Sequence, residues 1–139
     1  MKKLLFSAAI AALALASCKK SNGDEAKAIT KENIIGTFKL SAVTYTYMGV
    51  QSDGMKDMEA CAKDDIYVFK AGDVFEHTDA GTKCDPDGGY VSTWTLTGDE
   101  INIDGDTGKI TSLTATKLET TETIELNGTV TVKTTFVRQ

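Results

Sequence analysis

Two runs near the C-terminal end alternate apolar and polar side chains, a period that belongs to an extended strand with one buried face and not to a helix. Leu118, Thr120, Glu122, Ile124 and Leu126 share one face of the first run, and Val130, Val132, Thr134 and Phe136 share one face of the second. Asn127-Gly128 stands between them and predicts a type I′ hairpin, because both central residues of that turn need positive φ. The same signal recurs upstream. Thr37 to Ala42 alternates, and Val43, Tyr45 and Tyr47 continue on the opposite parity, which predicts a β-bulge or a bend within one long strand. Ile66 to Lys70 and Asp73 to Thr78 read as a hairpin closed at Ala71-Gly72, and Tyr90 to Thr97 places Tyr90, Ser92, Trp94 and Leu96 on one face before Gly98-Asp99 turns the chain. Ile101 to Ile103, an acidic turn from Asp104 to Gly108, and Ile110 to Leu113 complete the series.

The prediction is therefore an all-β domain of eight antiparallel strands joined mainly by tight turns. Such a meander closes into an up-and-down barrel or stacks as a sandwich. The barrel is favoured, because closure removes the exposed edges of a Thr-rich sheet and eight strands leave an interior wide enough for side chains or one small ligand. Two segments lack the strand pattern: Met48 to Asp64, a long loop with a helical turn placed near Met55 to Ala62, and Asp79 to Gly89. Thr30 is positioned to cap a short helical turn through Ile35.

The first 17 residues stand apart. Lys2 and Lys3 precede a run from Leu4 to Ala16 that falls short of the roughly 20 apolar residues a membrane-spanning helix needs. The run ends in Leu15-Ala16-Ser17-Cys18, which resembles the lipobox of bacterial lipoprotein signal peptides. That resemblance implies cleavage between Ser17 and Cys18, a diacylglycerol on the Cys18 sulfur and an acylated Cys18 amine. Several acyl chains give stable attachment where one gives only marginal binding. Residues 18–31 are then expected to be a flexible tether, and residues 32–139 the single folded domain.

The whole chain has a formal charge of −5, and the leader holds two of its 15 basic residues and none of its 20 acidic ones. The exported portion is thus more acidic still, which argues against nucleic acid as a partner. With Cys18 assigned to lipid, Cys61 and Cys84 remain as an even pair in an oxidising compartment, and a disulfide between them is expected. A metal site is the alternative. His77 is the one histidine and there is no Cys-x-x-Cys spacing, so neither a metal nor another cofactor is expected.

The order of several short marks resembles the small lipocalin-like domain found in many Gram-negative bacterial lipoproteins. These are Ile35-Gly36-Thr37-Phe38 at the first strand, Phe69 followed by Gly72, Thr93-Trp94-Thr95-Leu96-Thr97-Gly98, and the closing Phe136-Val137-Arg138. The resemblance spans about Ile34 to Arg138 and implies a barrel with room for a small apolar molecule. Phe38 stands where the family often has Trp, so its barrel-floor packing does not carry over intact.

Five side chains are candidates for ligand contact. Trp94 reads first as core, with stacking on a ligand as the alternative, and Phe75 is a candidate on the strand face it shares with His77. Tyr45 and Tyr47 lie at the far end of the first strand, as sheet surface or as the rim of a mouth. His77 shares a face with Phe75 and has no evident nucleophile or orienting partner, so no enzymatic activity is expected. Glu100 to Gly105 imitates the start of a calcium loop, but Thr111 occupies the position that needs a bidentate Glu. Two functions follow as expectations. One is a lipid-anchored protein of the cell envelope, at the outer membrane, that binds a small hydrophobic or amphipathic molecule. The other is an accessory envelope lipoprotein that contacts a protein partner, with a filled barrel as scaffold.

Overall fold

A computed structural model describes residues 25–84 and 88–139. The leader, the Ser17-Cys18 junction and the lipid site at Cys18 lie outside the described residues. Among the described residues no helix is long and apolar enough to cross a membrane.

A short helix, α1 (Lys31–Ile34), precedes nine strands: β1 (Gly36–Tyr47), β2 (Val50–Asp53), β3 (Ile66–Lys70), β4 (Val74–Thr78), β5 (Tyr90–Thr97), β6 (Glu100–Ile103), β7 (Asp106–Leu113), β8 (Lys117–Leu126) and β9 (Gly128–Arg138). Each of β3 to β9 pairs antiparallel with its sequence neighbour, and β1 pairs with both β3 and β9. The sheet therefore closes as an eight-stranded up-and-down barrel. The slip in parity along the first strand is a bulge: Leu40 faces Phe136 and Ala42 faces Thr135, leaving Ser41 as the extra residue.

The ninth strand corrects the reading of Met48 to Asp64 as loop throughout. Val50–Asp53 folds back on β1, with Tyr47 opposite Val50, around a two-residue turn in which Met48 (φ 49°) and Gly49 (φ 80°) both take positive φ. All four β2 residues are exposed, so the strand rests on backbone pairing and leaves no apolar alternation to read. The helical turn of that segment is a short 3₁₀ helix at Cys61–Lys63. The Asn127-Gly128 turn also differs from expectation. Leu126 lies directly opposite Gly128, and of the two turn residues only Gly128 (φ 140°) has positive φ. The Tyr47 hydroxyl donates to the Asn127 carbonyl at 3.2 Å, which ties this hairpin to β1. The acidic turn shrinks to Asp104-Gly105, since Ile103 pairs with Asp106, and Asn102 accepts from the Gly105 N–H at 3.2 Å. The calcium-like spacing is thus spent on a hairpin.

One end of the barrel is sealed. Thr30 caps α1 through the Asn33 N–H at 3.4 Å, and Ile34 is fully buried against the core. Arg138 reaches across from β9, donating to the Ile35 carbonyl at 2.8 Å and the Asn33 carbonyl at 2.6 Å, with its guanidinium 4.5 Å from the centre of the Phe38 ring. A Cβ at Gly36 would lie 2.0 Å from Arg138 Nη1, so the glycine of the Gly-x-Phe mark leaves the space through which the arginine passes. The tether is shorter than expected. Ala26 bridges to Thr114, the Lys27 N–H donates to the Leu113 carbonyl at 2.8 Å, and Ile29 packs on the core. Above this floor lie Phe38, Phe69, Trp94 and Leu118, among others, and a second apolar group of Leu40, Val43 and Val132 packs under Met55 and Met58.

Candidate functional site

The strands that leave the sealed floor end at an opposite mouth, where the registers set inward-facing side chains in tiers. Tyr67 of β3 lies opposite His77 of β4, which in turn lies opposite Tyr90 of β5; one tier deeper Phe69 faces Phe75. Each tier follows from the two-residue period of the strand. The rings touch edge to face or tilted: Phe69 and Phe75 at 5.2 Å, Phe75 and Tyr90 at 6.1 Å, Tyr67 and Phe136 at 5.3 Å.

These rings do not fill the barrel. An inner chamber of about 170 Å³ lies between Phe69, Ile101, Leu118, Thr120 and Phe136, and an outer chamber of about 400 Å³ lies above it beneath Tyr67 and Tyr90. Phe69, Ile103, Asp106, Glu122 and Phe136 border both. Ring walls with a few polar groups at one end are the usual make-up of a small-molecule site. A larger recess of about 510 Å³ lies outside the lumen, where β1 passes from β3 to β2; its lining mixes Ser41, Thr44, Gln51 and Asp53 with the apolar Val43 and Met55.

Of the five candidate ligand residues, Phe75 lines the outer chamber and the other four line neither chamber. Trp94, 1% exposed, belongs to the core; its Nε1 donates to the Lys70 carbonyl at 3.1 Å and its ring meets Phe69 edge to face at 5.2 Å. Tyr45 packs over Gly54, whose Cβ would lie 2.5 Å from Tyr45 Cε2, and Tyr47 is held at the Asn127 turn. His77 borders a surface recess with Glu76, Asp79 and Lys83.

His77 does have an orienting partner, contrary to expectation. Its Nε2 lies 2.9 Å from Asp65 Oδ2, and Asp65 is only 6% exposed. Tyr67 and Tyr90 flank the imidazole at 5.3 and 5.0 Å. The hairpin register carried a signal for the pair: with Tyr67 opposite His77, the residue two before Tyr67 falls on the same face and diagonal to His77, within reach of a side chain. Among the described residues no hydroxyl or thiol is hydrogen-bonded to His77, so the pair fixes a ring and presents no activated nucleophile. Burial, reinforced by the Asp65 charge and by Tyr90, pushes the Tyr67 hydroxyl up to about 12. Burial, and after it Asp104 and Asp106, also raises Tyr90.

The segments that flank the mouth are pinned. Cys61 and Cys84 form a disulfide with Cα atoms 5.2 Å apart, joining the segment before β3 to the segment after β4. Asp64 accepts from the Thr82 N–H and Asp79 from the Cys84 N–H, both at 3.1 Å. Glu59 sits beside the bridge, but sulfurs joined to each other are not thiolate ligands.

A family model described as "Lipocalin-like domain" matches residues 34–129, from the end of α1 to the start of β9. No curated protein and no solved structure matches the chain.

Proposed function

Because the chain belongs to the family of lipocalin-like domains, we propose that it is a lipid-anchored envelope protein whose barrel binds a small hydrophobic or amphipathic molecule, and that it acts as a binder and not a catalyst. The observation that carries this reading is the pair of ring-walled chambers inside a barrel sealed at one end. The anchor rests on the sequence Leu15-Ala16-Ser17-Cys18 after a short apolar run, and its place at the outer membrane on the same resemblance. The accessory-scaffold reading has a filled barrel as its premise, which the chambers do not supply. Exposed Met48, Val50 and Leu126 at two hairpin tips are what favours contact with an envelope protein as a second role.

Native mass spectrometry of the full chain purified from its own membranes tests binding and anchor together. The expected spectrum shows a retained small molecule and an N-terminal peptide that begins at Cys18 and carries acyl mass. For the cavity alone, the neutral dye N-phenyl-1-naphthylamine should brighten with the native chain and fail to brighten with Thr120→Phe, which fills the inner chamber. A dye that responds to both chains alike, or to neither, refutes the binding reading.

A further inference from the structure

The walls and the outer end of the cavity differ in chemistry, and that difference selects a ligand. Phe69, Phe75 and Phe136 line the outer chamber with Tyr67 and Tyr90, while Asp104, Asp106 and Glu122 bring three carboxylates to it. Among the described residues no lysine or arginine lines either chamber. The nearest cations of the same strands are engaged elsewhere: Lys109, at a position of the opposite parity, pairs with Asp99 of the β5–β6 turn at 2.9 Å, and Lys133 pairs with Glu119 at 3.0 Å, both again of the opposite parity. Asp104 accepts from the Ser92 hydroxyl at 2.7 Å, whereas Asp106 and Glu122 have no ion-pair partner among the described residues.

Glu122 carries the most weight. It follows Leu118 and Thr120 on the inward face of β8 and borders both chambers. Glu122 is exposed in the empty barrel, and a purely apolar guest seated against it would displace some of its water and offer no partner in return, which lowers affinity for such a guest. It favours a guest that brings a positive charge. Aromatic ring faces attract cations in the same way, and more strongly as water is excluded. The Tyr90 hydroxyl, raised by burial and then by Asp104 and Asp106, registers the same negative field.

We infer that this cavity takes a small organic cation, an amine or quaternary ammonium on an apolar or aromatic body. The body lies among Phe69, Phe75 and Phe136, and the cationic head lies between the Tyr90 ring and the carboxylates of Asp106 and Glu122. This inference rests on the binding reading proposed above and narrows it to one ligand class.

The test uses the full chain in lipid nanodiscs, with empty discs subtracted, and three probes on one skeleton: 3-phenylpropylammonium, 3-phenylpropanol and 3-phenylpropionate. Calorimetry should find the cation bound about tenfold more tightly than the alcohol, equal to ~1.4 kcal/mol, and the carboxylate weakest. Raising salt from about 20 mM to about 500 mM should shrink that preference. Asp106 and Glu122 are exposed, so the double variant Asp106→Asn/Glu122→Gln keeps the fold, checked by an unchanged thermal midpoint, and should bind cation and alcohol within about twofold of each other. N-phenyl-1-naphthylamine, added to each chain in parallel, reports on the cavity without regard to charge. Dye bound with the cation not preferred, or a preference that survives in the double variant, overturns the ligand class and leaves the binding reading intact. Dye not bound overturns both.

Discussion

Replacing Arg138 with Met removes the brace across the barrel floor while keeping most of the side chain's length. Two hydrogen bonds from the guanidinium, to the carbonyls of Ile35 and Asn33, are lost. Each counts for ~1 kcal/mol, below the usual range for a charged donor because the head group is partly in water. The contact with the Phe38 ring at 4.5 Å adds about 0.5–1 kcal/mol. Against these stands Arg138 Nε, which is buried without an acceptor; its removal relieves ~1 kcal/mol. Burial also disfavours the charged form, in keeping with that offset. The net loss is about 1.5–2 kcal/mol, which lowers the thermal midpoint by about 6–8 °C for a domain of this size. Urea unfolding of the two chains, fitted with a common slope, measures it, and Arg138→Lys should fall between them because it keeps the charge and loses the fork. A Met chain as stable as the native one would show that the floor is held by Ile34 and Phe38 packing alone.

Trp94→Ala should cost about 3–5 kcal/mol, since it empties a fully buried site and leaves the Lys70 carbonyl without its donor; a loss under ~2 kcal/mol in the same unfolding assay would place the indole outside the core. Cys61→Ser/Cys84→Ser should lower stability by roughly 3 kcal/mol through the freed loop. Hydrogen exchange should then quicken in the two segments that flank the mouth and stay slow in β8 and β9, and uniform acceleration would contradict local pinning. Tyr67 titrates at about 12 in the folded chain against an ordinary 10.0, so the native state holds that proton more tightly. Its stabilising contribution is complete below about pH 10 and is lost as pH rises towards about 12. Tyr67→Phe should flatten the alkaline unfolding profile in that window, and an unaltered profile would mean that another group governs it.

The barrel was legible in the sequence wherever burial and backbone period agree. Leu118, Thr120 and Glu122 on β8 and Phe136 on β9 all face the lumen as the alternation predicts. Even the bulge at Ser41 left its trace as a parity slip. β2 left none, because a strand exposed on both faces has no apolar period. The candidate site was harder to read. Tyr45 and Tyr47 occupy the mouth end of β1 as expected, yet Gly54 and the Asn127 turn engage them away from the chambers. Asp65 sits outside any strand pattern, and it meets His77 only through hairpin register. Asp106 reads as part of an acidic turn until the turn is seen to end at Gly105. The carboxylates that choose a ligand were therefore visible as residues but not as a set.

Ala26 and Lys27 enter beside Leu113 and Thr114, at the pole that α1 closes. With an acyl group on Cys18, the eight residues from there to Ala26 could reach no farther than roughly 28 Å even at full stretch. The attachment would then sit at the closed pole, with the opening at the far end of the barrel from the lipid joint.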